Sequence, residues 1–176
     1  MKIVNKKFKN LFLYKHDKFK DKRGYFKELL REKNLNNKFP FLVMSYSKKS
    51  VIRGLHLQVK KPQGKFVTVI KGKIFDVVVD LRKNSNTFGK CFSCILSESN
   101  SSSIYIPPGF AHGFQAIEED NYIIYSCTKY RDKKSEVSIN YNDKNLNIKW
   151  PLKKKILSLK DRNAISFSKF LNKYYE

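Results

Sequence analysis

The sequence predicts an all-β fold of the sandwich or barrel type, of which the jelly roll is one form. Three observations carry that expectation. Short apolar or alternating segments recur at close spacing through the middle of the chain, turn residues separate them, and helical periodicity is confined to short stretches near the termini. Lys65–Lys71 and residues 74–81 flank Gly72 and read as a hairpin with glycine at the tight position. Alternation in the second of these places Phe75, Val77, Val79 and Leu81 on one face and Ile74, Asp76, Val78 and Asp80 on the other. Further strands are expected at 91–96, 103–106, 113–117, 122–128 and 137–141. Asn84-Ser85-Asn86, Asn100-Ser101, Pro107-Pro108-Gly109 and Asn142-Asp143 supply the turns between them. Residues 27–33 suggest a short helix. Ala164, Phe167, Leu171 and Tyr174 recur at helical steps and suggest a packed terminal one.

No linker, repeat or low-complexity tract divides the 176 residues, so one domain over 1–176 is expected, long enough to bury its own core. The stretch through Phe19 has no apolar run of signal-peptide or membrane-spanning length, and no membrane partner is expected. Three cysteines, an odd number, argue against a disulfide framework and suit a reducing compartment, hence the cytoplasm. The formal charge of +22 invites a nucleic-acid reading. The lysines are spread along the chain, however, and nothing resembles a nucleic-acid motif, so no nucleic-acid partner is expected. Such a charge does favour an anionic ligand.

Three histidines are present, His16, His56 and His112. His56 and His112 lie in glycine-flanked segments, Arg53-Gly54-Leu55-His56 and Gly109-Phe110-Ala111-His112-Gly113, where backbone or ligand can approach closely. Each is equally readable as a hydrogen-bonded histidine at a strand end. Tyr125 shares a strand face with Ile123 and Cys127 and, taken alone, reads as a packed aromatic. No metal is expected: Gln58 follows His56-Leu57 where a second histidine ligand would be needed. The lone Cys91-x-x-Cys94 pair would point to opposite faces of a strand. Neither a Gly-x-Ser-x-Gly elbow nor a P-loop is present.

Taken together, several segments in order resemble the dTDP-4-dehydrorhamnose 3,5-epimerase family over Phe19 to Asp161. They are Phe19-Lys20-Asp21-Lys22-Arg23-Gly24, Arg53-Gly54-Leu55-His56-Leu57-Gln58, Gln63-Gly64-Lys65 and Phe75-Asp76-Val77-Val78-Val79-Asp80-Leu81-Arg82. Ile106-Pro107-Pro108-Gly109-Phe110-Ala111-His112-Gly113-Phe114, Asp143 with Ile148-Lys149-Trp150-Pro151, and Leu157-Ser158-Leu159-Lys160-Asp161 complete the set. The resemblance implies a cupin-type jelly roll, no cofactor, a homodimer, and epimerisation at C3 and C5 of a nucleotide-linked 4-keto-6-deoxy sugar, for rhamnose or a related surface sugar. A hydrogen beside a ketone is acidic because its loss gives an enolate. Inversion then needs a base on one face, an acid on the other and a stabiliser for the oxyanion.

By resemblance His56 is the base, Asp161 its orienting carboxylate, Tyr125 the acid and Lys65 the stabiliser near the C4 oxygen. Arg23, Arg53 and His112 resemble positions that contact the diphosphate or sugar, and Glu28 an acceptor for base or hydroxyl. Gln58, Gln63, Glu136 and Lys160 follow as weaker members of the binding shell.

The chain also departs from the family pattern. Phe41 and Val43 stand where a Gln and an Asn usually line the pocket, while Ser45 and Ser47 survive. Arg131 stands where a second aromatic is frequent, leaving Tyr130 as the alternative stacking residue. These departures bear on which sugar and base are recognised. Rival readings are a single-centre epimerase on another deoxysugar or heptose, a non-catalytic sugar-nucleotide-binding cupin and, least supported, a nucleic-acid-binding protein.

Overall fold

The computed structural model describes residues 2–5 and 8–175 of the chain. Among them, one six-stranded sheet runs in the order β1 (Lys2–Asn5), β2 (Phe12–Lys15), β10 (Ser102–Ile106), β7 (Lys65–Lys71), β12 (Asp120–Cys127) and β5 (Phe41–Lys48). A five-stranded sheet runs β13 (Glu136–Ser138), β6 (Ile52–Gln58), β11 (Phe110–Ala116), β8 (Lys73–Asp80) and β9 (Cys91–Ser97). A separate two-stranded ribbon pairs β3 (Phe19–Asp21) with β4 (Gly24–Phe26), and every strand pairing in the three sheets is antiparallel. The all-β, cupin-like expectation therefore holds.

Gly72 corrects one expectation. It does not close a hairpin, because β7 pairs with β10 and β12 while β8 pairs with β11 and β9 in the other sheet. The glycine is the corner at which the chain changes sheets. Its φ is +86°, and a Cβ there would lie 2.3 Å from the Asp120 carbonyl oxygen, so no larger residue fits the turn. A hairpin and a sheet-switching corner present the same local apolar pattern.

The alternation read in β8 separates two cores. Ile74 and Val78 pack between the sheets with Val67, Val69, Ile104, Phe114 and Ile123. Val77, Val79 and Leu81 face the other way and pack with Leu55 and Ala111 against Phe167 and Phe170 of the terminal helix α2 (Phe167–Tyr175). Cys91 and Cys94 divide likewise between these two cores, as a pair three apart on a strand must.

The helix expected over 27–33 does not form. The chain there is irregular and ends in a single 3₁₀ turn, Glu32–Asn34, with no side-chain cap and no buried residue. A segment this short, with no apolar stripe to bury, does not offset helix nucleation. The strand expected at 137–141 shortens to Glu136–Ser138, and Ile139 instead bridges to Ile165.

Asp80, fully buried, ties the loop after β8. It accepts from Arg82 Nε at 2.8 Å and Nη2 at 2.7 Å, and from the Ser85 and Thr87 hydroxyls, both at 2.6 Å. Burial pushes its carboxyl up, but these donors outweigh burial and hold its pKa at about 2 against an ordinary 3.8. A carboxyl lowered on folding stabilises the fold above its unfolded pKa and loses that contribution as pH falls through the folded value. Asp80→Asn is thus expected to lower unfolding free energy at neutral pH by about 2 kcal/mol. Urea titration should also show the variant lacking the part of the acid sensitivity that wild type displays between about pH 4 and about pH 2.

Candidate active site

One cavity of about 450 Å³ opens between the sheets and draws side chains from both. From the five-stranded sheet come Arg53 and His56 of β6. Spaced by three, they would face opposite ways on a regular strand. The β6–β11 register instead slips, pairing His112 with His56 but Phe114 with Arg53, so β6 carries one extra residue there. This bulge turns both side chains into the cavity. Gly54 and Gly113 permit it: a Cβ on Gly54 would lie 2.5 Å from the Gly113 Cα. His112, the cross-strand neighbour of His56, also lines the cavity, and its Nε2 lies 2.7 Å from Asp76 Oδ2 on β8.

His56 is held from beyond the sheet. Its Nε2 lies 2.6 Å from Oδ1 of Asp161, which is itself buried in the short helix α1 (Leu159–Arg162). Ser158 caps that helix by accepting from the Asp161 amide at 3.1 Å, and its hydroxyl donates to Asp161 Oδ2 at 2.8 Å. Burial raises the Asp161 carboxyl, but the His56 hydrogen bond and then Ser158 bring it below the ordinary carboxylate range. An ionised Asp161 accepts from Nε2–H and leaves the Nδ1 lone pair of His56 as the basic atom.

The six-stranded sheet supplies the opposing wall. Tyr125 and Cys127, alternate residues of β12, share the cavity face, and Lys65 of β7 is the cross-strand partner of Cys127. The Tyr125 hydroxyl lies 3.0 Å from Ser45 Oγ on β5. Burial pushes the phenol well above its ordinary value, so it keeps its proton throughout the neutral range. Burial lowers the Lys65 ammonium, opposed by the charges of Cys127, Glu136 and Asp76. At the rim, Glu136 accepts from Arg131 at 2.7 Å and Lys160 at 2.6 Å. Burial raises its carboxyl, and these two cations outweigh burial to hold it at about 2. A base on one wall, a phenol on the other and an ammonium beside it form a set that can move protons on and off a carbon held between them. Among the described residues no three His, Cys, Asp or Glu side chains converge as metal ligands would.

A family model described as dTDP-4-dehydrorhamnose 3,5-epimerase matches residues 5–169. The curated enzyme of that name from Methanothermobacter thermautotrophicus is 43% identical over 153 residues, covering 82% of this chain and 83% of the relative. The chain belongs to the dTDP-4-dehydrorhamnose 3,5-epimerase family.

Solved structures of family members agree in shape. A Legionella pneumophila epimerase in complex with dTDP-4-keto-L-rhamnose is 39% identical with a TM-score of 0.91, covering 95% of this chain and 93% of that one. The Mycobacterium tuberculosis epimerase is 31% identical with a TM-score of 0.93, covering 98% and 92%.

Most residues expected from the family pattern meet in the cavity: Ser45, Arg53, His56, Gln58, Gln63, Lys65, His112, Tyr125, Arg131, Glu136, Lys160 and Asp161 all line it. Four of the expected residues do not. Ser47 lies behind, accepting from Arg53 Nε at 3.0 Å and so aiming that guanidinium. Tyr130 is 68% exposed and sits against Phe41, ring centroids 5.5 Å apart, while Arg131 takes the lining position. Arg23, its side chain 90% exposed, pairs with Asp21 at 2.6 Å, and Glu28 accepts from Arg31 Nε at 2.7 Å; neither reaches the cavity of its own chain.

Two glutamines line the cavity with their amides already engaged. Gln58 donates to the Lys61 carbonyl at 2.8 Å and accepts from the Asp132 amide at 2.8 Å, and Gln63 donates to the Lys129 carbonyl at 2.5 Å. Their role in the fold is to hold two loops together. Sequence reasoning does not single out Ser158 or Asp76 as site residues. The Ser-x-x-Asp spacing that marks a helix N-cap is the available signal for the first, and an acid inside a strand buried on both faces is the signal for the second.

Proposed function

We propose that the chain inverts C3 and C5 of a dTDP-linked 4-keto-6-deoxyhexose by removing a proton beside the C4 ketone and returning one from the opposite face. One observation carries this reading. His56, backed by Asp161, and Tyr125 come from different sheets and line the same cavity. His56 Nδ1 takes the proton, and Asp161 holds the ring and offsets the imidazolium charge. Lys65 stabilises the enolate oxygen, and Tyr125 delivers the new proton from across the ring. Arg53 and His112 suit the diphosphate and sugar, with Arg131, Glu136 and Lys160 at the mouth. The ligand in the Legionella relative is of the expected product class.

The active assembly in this reading is a homodimer. Phe19 and Phe26 on the β3–β4 ribbon and Leu42 and Met44 on the edge strand β5 are each more than 60% exposed, apolar side chains suited to packing on a second copy. Arg23, at the tip of the β3–β4 ribbon, and Glu28 beyond it would then serve a neighbouring cavity. The free Cys91, Cys94 and Cys127 are consistent with a cytoplasmic enzyme. No helix among the described residues is long and apolar enough to cross a membrane.

Incubation with dTDP-4-keto-6-deoxyglucose in deuterated water, followed by NMR, tests the reaction. Deuterium is expected at both C3 and C5 of the inverted product. Label at one centre only, or none, overturns double inversion.

A further inference from the structure

Beside the mouth of the reaction cavity lies a second hollow of about 520 Å³, and Arg131 lines both. Its walls carry Lys61, Lys129, Lys133 and Lys134 with Arg131, against the single carboxylate of Asp132. These cations sit on a built rim. Gln58 and Gln63 pin the loop after β6 to the loop after β12 through two of the hydrogen bonds described above, from the Asp132 amide to Gln58 and from Gln63 to the Lys129 carbonyl, while the Gln58–Lys61 bond closes the first loop on itself. Asp132 caps the 3₁₀ turn Lys133–Ser135 by accepting from the Lys134 amide at 3.1 Å, and its other oxygen meets Lys61 Nζ at 3.2 Å. The one acid present is therefore occupied in shaping the rim, while Lys129, Lys133 and Lys134 stand exposed around it.

We propose that this hollow is a capture site for the diphosphate of the incoming nucleotide sugar, which passes from it into the reaction cavity past Arg131. The proposal rests on the reading that the substrate carries a nucleoside diphosphate. Attraction between separated charges acts before contact and reaches about 8 Å at physiological ionic strength. A cationic approach therefore raises the rate of association and leaves the lifetime of the bound complex nearly unchanged. The competing explanation is that lysine excess is general along this chain, and that the hollow merely samples it.

Stopped-flow binding of a fluorescent N-methylanthraniloyl ester of dTDP separates the two. In Lys133→Gln/Lys134→Gln the association rate constant is expected to fall about 3- to 10-fold at an ionic strength of about 20 mM, with the difference closing at about 200 mM. The dissociation rate constant and kcat should stay within about twofold of wild type. A control that removes the same charge from exposed positions outside both hollows, Lys90→Gln/Lys169→Gln, should associate like wild type. Equal losses in both double variants would assign the effect to net charge and overturn the capture site. No loss in either overturns it too, as does a loss that appears in dissociation, which would make these lysines contacts of the bound state. Wild-type protein that fails to bind the ester sinks the substrate reading itself, a result distinct from wild type that binds and a variant that is unaffected.

Discussion

His56→Ala is expected to lower kcat by about 10²- to 10⁴-fold, the range supplied by a positioned general base. It should also abolish uptake of solvent deuterium at C3 and C5. No other imidazole is placed to replace it: His112 is engaged with Asp76, and His16 is buried between Ser103 and Phe66 outside the cavity. Alanine leaves Asp161 buried without its ring partner, so a disturbed fold would contribute to any loss. His56→Gln removes the base but retains an amide able to donate to Asp161, and it should be as inactive with a near-native thermal midpoint. A kcat within about tenfold of wild type in either variant would end the assignment of His56 as base.

Asp161→Asn acts on the same step from behind. An amide offers the imidazole either an oxygen or an NH₂ group, so Nε2–H is no longer enforced and the lone pair is no longer confined to Nδ1. That Asp161 would meet His56, 105 positions away in the chain, follows from no local pattern in the sequence. It is legible only through what the resemblance in the order of motifs implies for the two positions. Local physics explains why Asp161 can be there at all: Ser158 caps a four-residue helix and turns the carboxylate inward.

The strands are legible for a different reason. Period-two alternation in β8 and β12 is imposed by burial on specific faces, so Val77 with Val79 and Tyr125 with Cys127 can be grouped from residue order alone. Burial on both faces of β8 is what removes the distinction between a hairpin at Gly72 and a corner between sheets. The same blindness affects β6, where an extra residue at the Gly54 bulge reverses which side chains share a face. Alternation alone would separate Arg53 from His56. The surroundings of the binding residues are hidden for another reason. Gln58 and Gln63 line the cavity, but Gln58 also binds Lys61 and Asp132 and Gln63 donates to Lys129, and hydrogen-bond partners this specific cannot be read from residue type. Arg23 stands on an exposed ribbon paired with Asp21, and Glu28 turns to Arg31, so the local contacts of these two side chains place neither at the cavity of its own chain.

Tyr125→Phe should split the reaction into its halves. The variant keeps His56, Asp161 and Lys65, so proton removal and enolate formation continue, and the deuterated imidazole can return its deuteron to the face it came from. Exchange with retention at the base-accessible carbon is then expected within about tenfold of the wild-type rate, while inverted product forms at least about 10²-fold more slowly. Phenylalanine leaves the ring packing intact and removes only the hydroxyl that lies 3.0 Å from Ser45. Ser45 is left without that partner at a stability cost of about 1 kcal/mol, too small to unfold the protein and measurable in urea. The raised pKa of the phenol gives the wild-type comparison its sign: inversion should persist into alkaline solution, because the acid form is lost only as pH rises through that raised value. NMR of substrate recovered from deuterated water distinguishes retained-and-labelled sugar from inverted product in one spectrum. Undiminished inversion by the variant would require the second proton to come from some group other than Tyr125, and loss of exchange together with inversion would mean that the phenol takes part in proton removal as well as in delivery.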